Sequence, residues 1–255
     1  MMLLLLFAMG SGPVDLPAIE RALEAELRET HTPGAELVVV RGDEVLLSKG
    51  FGTANAETGE RMTPEHLFRL GSTTKLFTAL LLSTLVEQGR IDLDRSVGST
   101  VKGLPDFVAK LSAHQLLSHT AGIKDEPADY GLHDESALAA FPRGWGEDYR
   151  LLAPGRAFSY SNPGFALAGL VAQETLGKPY ADAMKELLLT PLGMERATFR
   201  PTEAMTRPLS QGHKISPDGQ AAVVRPYSDD SRQWPNGFLM ASASEMGRFV
   251  RAFLN

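Results

Sequence analysis

The stretch FRLGSTTKLFTALLLSTLVEQGRIDLD, residues 68–94, decides how the rest of the chain is read. Ser72 stands three positions before Lys75, and the residues from Leu76 to Val86 are nearly all apolar. With no polar stripe to interrupt it, the segment 73–89 reads as a helix that is buried rather than laid on a surface. Positions i and i+3 share a helix face, so Ser72 and Lys75 meet at its first turn. The free N–H groups and partial positive charge of a helix start favour an oxyanion developing at the serine. Desolvation by neighbours such as Leu76 and Phe77 would lower the lysine pKa, because burial disfavours the charged form. A base useful near neutrality needs that pKa lowered by roughly 3 from ~10.4, about 4 kcal/mol of charge destabilisation. The alternative is a helix-capping serine beside a lysine that snorkels to water. The local pattern leaves both open.

S-x-x-K recurs at Ser99–Lys102, but there it lies between Gly98 and Gly103 with Pro105 close behind, and reads as a solvated loop. A second element weighs for Ser72. RAFSYSNPGFAL, residues 156–167, contains Tyr160-Ser161-Asn162 just ahead of a helical pattern at 165–176. Alternation along the chain aims Tyr160 and Asn162 to the same side. A phenol held near a lysine ammonium can shuttle a proton. The alternative is a core tyrosine followed by a turn asparagine before proline.

The remaining segments supply the frame. Residues 16–30 read as an amphipathic helix with Leu16, Ile19, Leu23 and Leu27 on one stripe. Residues 35–41 and 45–52 read as a hairpin, and the successive apolar residues Leu37 to Val40 predict a strand buried on both faces. No comparably strong strands follow; 197–200 and 221–225 are short. A lone hairpin is marginal in water, so sheet partners are expected that the sequence does not display. At the end, Ser242 and Glu245 form a capping box for a helix carrying Met246, Phe249, Val250, Phe253 and Leu254.

Composition narrows the function. The 255 residues are 43% hydrophobic and 22% charged, with a net charge of −6 and no basic stripe, which argues against nucleic acid. There are no cysteines, and the six histidines show no metal-ligand spacing, so neither metal nor cofactor is expected. The apolar run in residues 1–12 is too short to span a bilayer. It reads as the apolar part of an export signal or as a disordered leader to a domain over 13–255. The first predicts a periplasmic or secreted protein, the second a cytoplasmic one.

Four ordered stretches, FRLGSTTKLFTALLLSTLVEQGRIDLDRSV, HQLLSHTAGI, FSYSNPGFALAGLV and NGFLMASASEMGRFVRAFLN, resemble the serine β-lactamase-like family. That family takes in class C β-lactamases, D-alanyl-D-alanine carboxypeptidases and family VIII carboxylesterases. The resemblance implies an α+β fold, an antiparallel sheet flanked by helices, with a mostly helical region over about 76–200. It implies a covalent acyl-enzyme on Ser72, with Lys75 as proton acceptor, Tyr160 as acid/base and Asn162 on the substrate's acyl amide. The implied substrate is a β-lactam, a D-Ala-D-Ala-type peptide or a carboxylic ester; the rivals are a penicillin-binding sensor and a non-catalytic scaffold. The HTAG stretch is structural in that family, which makes His119 a hydrogen-bonded scaffold residue rather than a base. The family's third motif, K-T-G or H-x-G on a strand, has no counterpart after Asn162. Together with the shortage of strands, this predicts a C-terminally truncated chain.

Overall fold

The computed structural model describes residues 3–7, 12–127 and 133–254. The elements that matter run in the order β1 (Leu3–Phe7), α1 (Leu16–Glu29), β2 (Gly34–Arg41), β3 (Glu44–Asn55), β4 (Glu60–Arg61), α2 (Thr74–Glu87), α3 (Asn162–Leu176) and α4 (Ala243–Leu254). They fall into two compact units. One comprises Met1–Arg69, Leu189–Tyr227 and Met240–Asn255; the other Leu70–Leu188 and Ser228–Leu239.

In the first unit the sheet order is β1-β2-β3-β4. The predicted hairpin forms, β2 antiparallel to β3, and turns through Gly42 at a left-handed φ of 54°. Two features differ from the expectation. Leu3–Phe7, within the segment assigned to a leader, runs parallel to β2, so the sheet is mixed rather than wholly antiparallel. Met1, Met2 and residues 8–11 lie outside the described residues. Residues 197–200 form no strand; Thr198 makes a single bridge to Met240, and Ala221–Val223 pairs only with His213–Ile215.

The burial of β2 on both faces has a direct cause. Leu37 and Val39 pack with Ala35, Phe51 and Leu23 of α1, whose partly buried Leu16, Ile19 and Leu27 flank them. Val38 and Val40 on the other face meet α4, where Gly247 leaves no room beside Val38 for even a methyl group. The capping box forms as read, Ser242 Oγ accepting from the Glu245 N–H at 3.3 Å and Glu245 Oε2 from the Ser242 N–H at 3.3 Å.

The second unit is helical. α2 buries Phe77, Leu81, Leu82 and Leu85, but Leu76 is 58% exposed, so the helix is not buried all round. α3 is buried from Pro163 through Ala172 and ends at Gly177 in the left-handed conformation. The helical region begins at Leu70, closes at Leu188 and receives Ser228–Leu239 from late in the chain. Gly169 of α3 lets Pro235 of that returning segment approach so closely that a Cβ would overlap its ring.

Candidate active site

Ser72 sits in a 3-10 turn, Gly71–Thr73, that feeds directly into α2. Gly71 adopts a φ of 56°, which a residue with a Cβ takes up only at a cost, and this sets the serine at the head of the helix. Ser72 caps nothing: no side-chain bond closes the helix start. Its Oγ lies 2.8 Å from the Tyr160 hydroxyl and 3.3 Å from Lys75 Nζ.

Lys75 does not snorkel. It is 8% exposed, and its Nζ donates to Asn162 Oδ1 at 2.8 Å and to the Asn236 carbonyl at 2.7 Å, besides Ser72. The ammonium lies 4.9 Å from the Tyr160 ring centre and 5.5 Å from that of Phe165. Burial holds the lysine pKa below its ordinary value, while the Tyr160 hydroxyl and the Asp125 charge pull it back up. The desolvating neighbours differ from those expected. Leu76 points into solvent, and the lysine is covered instead by Tyr160, Phe165 and the returning segment.

Tyr160 and Asn162 are placed by a short scaffold. Ser161 caps α3, its Oγ accepting from the Gly164 N–H and donating to the Lys124 carbonyl, both at 3.1 Å. The Asn162 N–H donates to Asp125 Oδ1 at 2.8 Å. His119 stacks on Tyr160 with ring centres 4.5 Å apart. Its carbonyl accepts from the Ser159 N–H at 2.8 Å, and its Nδ1 accepts from the Ser161 N–H at 3.1 Å. An accepting Nδ1 carries no proton, so the ring is held neutral. Burial and the Lys75 charge push the His119 pKa down in the same sense. A φ of 57° at this non-glycine residue is uncommon and lets the ring and the carbonyl both face the Tyr160 turn.

Three contributors escaped the sequence reading. Asn236 supplies a carbonyl to Lys75, and its Nδ2 donates to the Asn162 carbonyl at 3.2 Å and to Gln233 Oε1 at 3.0 Å. Gln233 and Asp125 complete the scaffold. A backbone carbonyl can come from any residue, so Asn236 left no side-chain signature. The other serines are engaged elsewhere. Ser118 Oγ donates to the His114 carbonyl at 2.7 Å, and Ser99 Oγ to the Ser96 carbonyl at 2.7 Å, while Lys102 Nζ donates to the backbone carbonyls of Gly98 and Ser99. Among the described residues no cluster of His, Asp and Glu has the makings of a metal site, and no helix is long and apolar enough to cross a membrane.

The family model described as Beta-lactamase matches residues 19–255. The chain belongs to the beta-lactamase family. Among its relatives is penicillin-binding protein 4 of Amycolatopsis lactamdurans, 30% identical over 95% of this chain and 65% of that protein. Protein flp of Staphylococcus aureus (strain MW2) is 26% identical over 93% of this chain and 48% of the relative. The chain thus spans about half to two thirds of the curated relatives it matches. Among solved structures, the octameric penicillin-binding protein homologue from Pyrococcus abyssi superposes with a TM-score of 0.80 at 28% identity, over 94% of this chain and 56% of the other. The fold is therefore that of the β-lactamase and transpeptidase group, helices packed with small sheets.

Proposed function

We propose that this protein is a serine hydrolase that works through a covalent acyl-enzyme on Ser72. The observation that carries the reading is the contact of one serine hydroxyl with both a phenol and a buried amine. Lys75 has three N–H donors as an ammonium, and three acceptors surround it. Once neutral, it keeps two N–H groups for Asn162 and Asn236, and its lone pair faces Ser72 Oγ. It then accepts the serine proton as Oγ bonds to a substrate carbonyl carbon and the carbonyl electron pair moves to oxygen. Backbone N–H groups at the start of the turn carrying Ser72, which a helix start does not pair within itself, would stabilise that oxyanion. Tyr160, 2.8 Å from Oγ, is placed to pass the proton to the leaving nitrogen or oxygen as its bond to carbon breaks. Water then attacks the ester carbon and regenerates Ser72. Asn162, already polarised by Lys75, takes the substrate's acyl amide. The substrate class is a β-lactam, a D-Ala-D-Ala-type peptide or a carboxylic ester, with no metal or cofactor required.

The test is acylation by a fluorescent penicillin and by a nitrophenyl ester, read by intact mass and peptide mapping. The label attaches to Ser72, disappears in Ser72→Ala and persists in Ser99→Ala and Ser118→Ala. A label on either of the other serines overturns the assignment. Stable labelling without turnover of a chromogenic cephalosporin or ester identifies a penicillin-binding sensor, and absence of any label a non-catalytic scaffold.

A further inference from the structure

His119 holds both of the peptide N–H groups that flank Tyr160. Its carbonyl accepts from the Ser159 N–H at 2.8 Å, and its Nδ1 accepts from the Ser161 N–H at 3.1 Å. The first bond is indifferent to the side chain. The second exists in one protonation state alone. A backbone N–H can only donate, so Nδ1 must offer a lone pair, and the ring proton sits on Nε2. Protonation places an N–H on both ring nitrogens and sets two donors against each other. Turning the ring aside would break its packing, since it stacks on Tyr160 at 4.5 Å, tilts on Phe165 at 5.1 Å and meets Phe158 edge-on at 5.5 Å. Either response disturbs the turn that carries Tyr160, whose hydroxyl lies 2.8 Å from Ser72 Oγ.

Charged and titratable groups act on the ring from three directions. Burial, then the Lys75 charge on α2, disfavours the imidazolium, while Asp125 favours it; Tyr160 is the titratable side chain stacked on it. The balance holds the His119 pKa below its ordinary value, so the ring is neutral at neutral pH and gains a proton only at a pH below ~6.5. We infer that His119 is a positioning residue for Tyr160 and an acid-side switch of the Ser72 site: its neutral Nδ1 holds the Ser161 N–H, and its protonation releases the turn that presents the phenol to the serine. The inference rests on the acylation proposed for Ser72. Acylation already falls with falling pH because Lys75 must be neutral, and protonation of His119 adds a second loss below its own pKa.

The test compares His119→Asn and His119→Gly with the parent chain. Both variants tolerate the φ of 57°. Asparagine places Oδ1 where Nδ1 stood, an acceptor that does not titrate, and glycine supplies none. Single-turnover acylation by a nitrophenyl ester is followed between pH 4.5 and 8, and the Ser161 amide and His119 ring resonances are followed by NMR over the same range. In the parent, the slope of log rate against pH should steepen from about 1 to about 2 as His119 gains its proton, and the Ser161 amide should shift with the ring's midpoint. His119→Gly should slow acylation roughly 10- to 100-fold, the cost of a misplaced catalytic group. His119→Asn should recover most of that loss and show no steepening. In a Tyr160→Phe background the glycine substitution should cost nothing further. A Ser161 amide that ignores the ring's titration overturns the clamp, and steepening that persists in His119→Asn overturns the switch. Asparagine no faster than glycine, or an equal glycine cost with and without the phenol, overturns the positioning role. Absence of acylation in every protein overturns the Ser72 reading and the switch with it, whereas the amide titration judges the clamp separately.

Discussion

Replacing Glu36 by glutamine removes one titratable carboxyl from the centre of the first unit while keeping an oxygen in place. Glu36 is fully buried on β2, and its Oε2 accepts from the Ala243 N–H at the start of α4 at 2.5 Å. Burial raises its carboxyl pKa from 4.5 to about 8; the Glu65 carboxylate adds to the rise, and the Ala243 N–H and Arg196 oppose it. Between those two values the folded chain holds a proton that the unfolded chain has released. Stability from this group is therefore complete below about pH 4.5, declines as pH rises, and is fully lost above about pH 8. At about 1.36 kcal/mol per tenfold, the interval corresponds to about 5 kcal/mol, of which about 3 kcal/mol is lost by pH 7. Glutamine still accepts from Ala243 but buries an amide N–H₂, a cost of about 1–3 kcal/mol at every pH. Glu36→Gln should therefore be somewhat less stable than the parent at pH 5 and more stable at pH 9, a swing of about 4 kcal/mol. Urea unfolding followed by circular dichroism at pH 5, 7 and 9 measures it. Midpoints that shift in parallel for the two proteins across this range would refute the reasoning.

Because burial holds Lys75 below the ordinary lysine range, single-turnover acylation should rise with pH and level off with a midpoint below ~10.4. Lys75→Ala should lose both the rate and that limb; a profile unaltered in the variant would remove Lys75 as the acceptor. Tyr160→Phe should slow turnover by roughly 10²–10⁴, and an unchanged rate across pH 6–9 would take the phenol out of the proton path. Gly169→Ala would drive a methyl group into Pro235. It should destabilise the helical unit by about 1–3 kcal/mol, read as a lower urea midpoint by the fluorescence of Trp145 and Trp234, and displace the Asn236 carbonyl with a matching loss of acylation.

The local pattern carried the hairpin, α1, α2, α3 and the capping box of α4 because each rests on contacts between near neighbours. Leu37 through Val40 announced their two-sided burial by being apolar without interruption. Leu76 misled for the complementary reason: an apolar residue in an apolar run does not say which side of a helix is covered. The Ser72–Lys75 and Tyr160–Asn162 pairs were each visible, but their convergence depends on His119 and Asp125 orienting a turn some forty residues downstream. The parallel pairing of β1, and the return of Ser228–Leu239 into the helical unit, are topological. No periodicity encodes them.

The Asn236 carbonyl that receives a proton of Lys75 lies 161 residues further along the chain. At the usual 5–20 residues per second, synthesis runs on for roughly 8–30 s between the two. Through that interval Lys75 lacks one of its acceptors. Thr78, whose Oγ donates at 2.6 Å to the carbonyl of Pro235, is in the same position. The helical unit therefore emerges from the ribosome with the polar end of α2 still wet. Arrival of one short segment both dries Lys75 and completes the unit. If Lys75 activates Ser72 as proposed, the group that does so reaches its full set of acceptors only once Asn236 has been made.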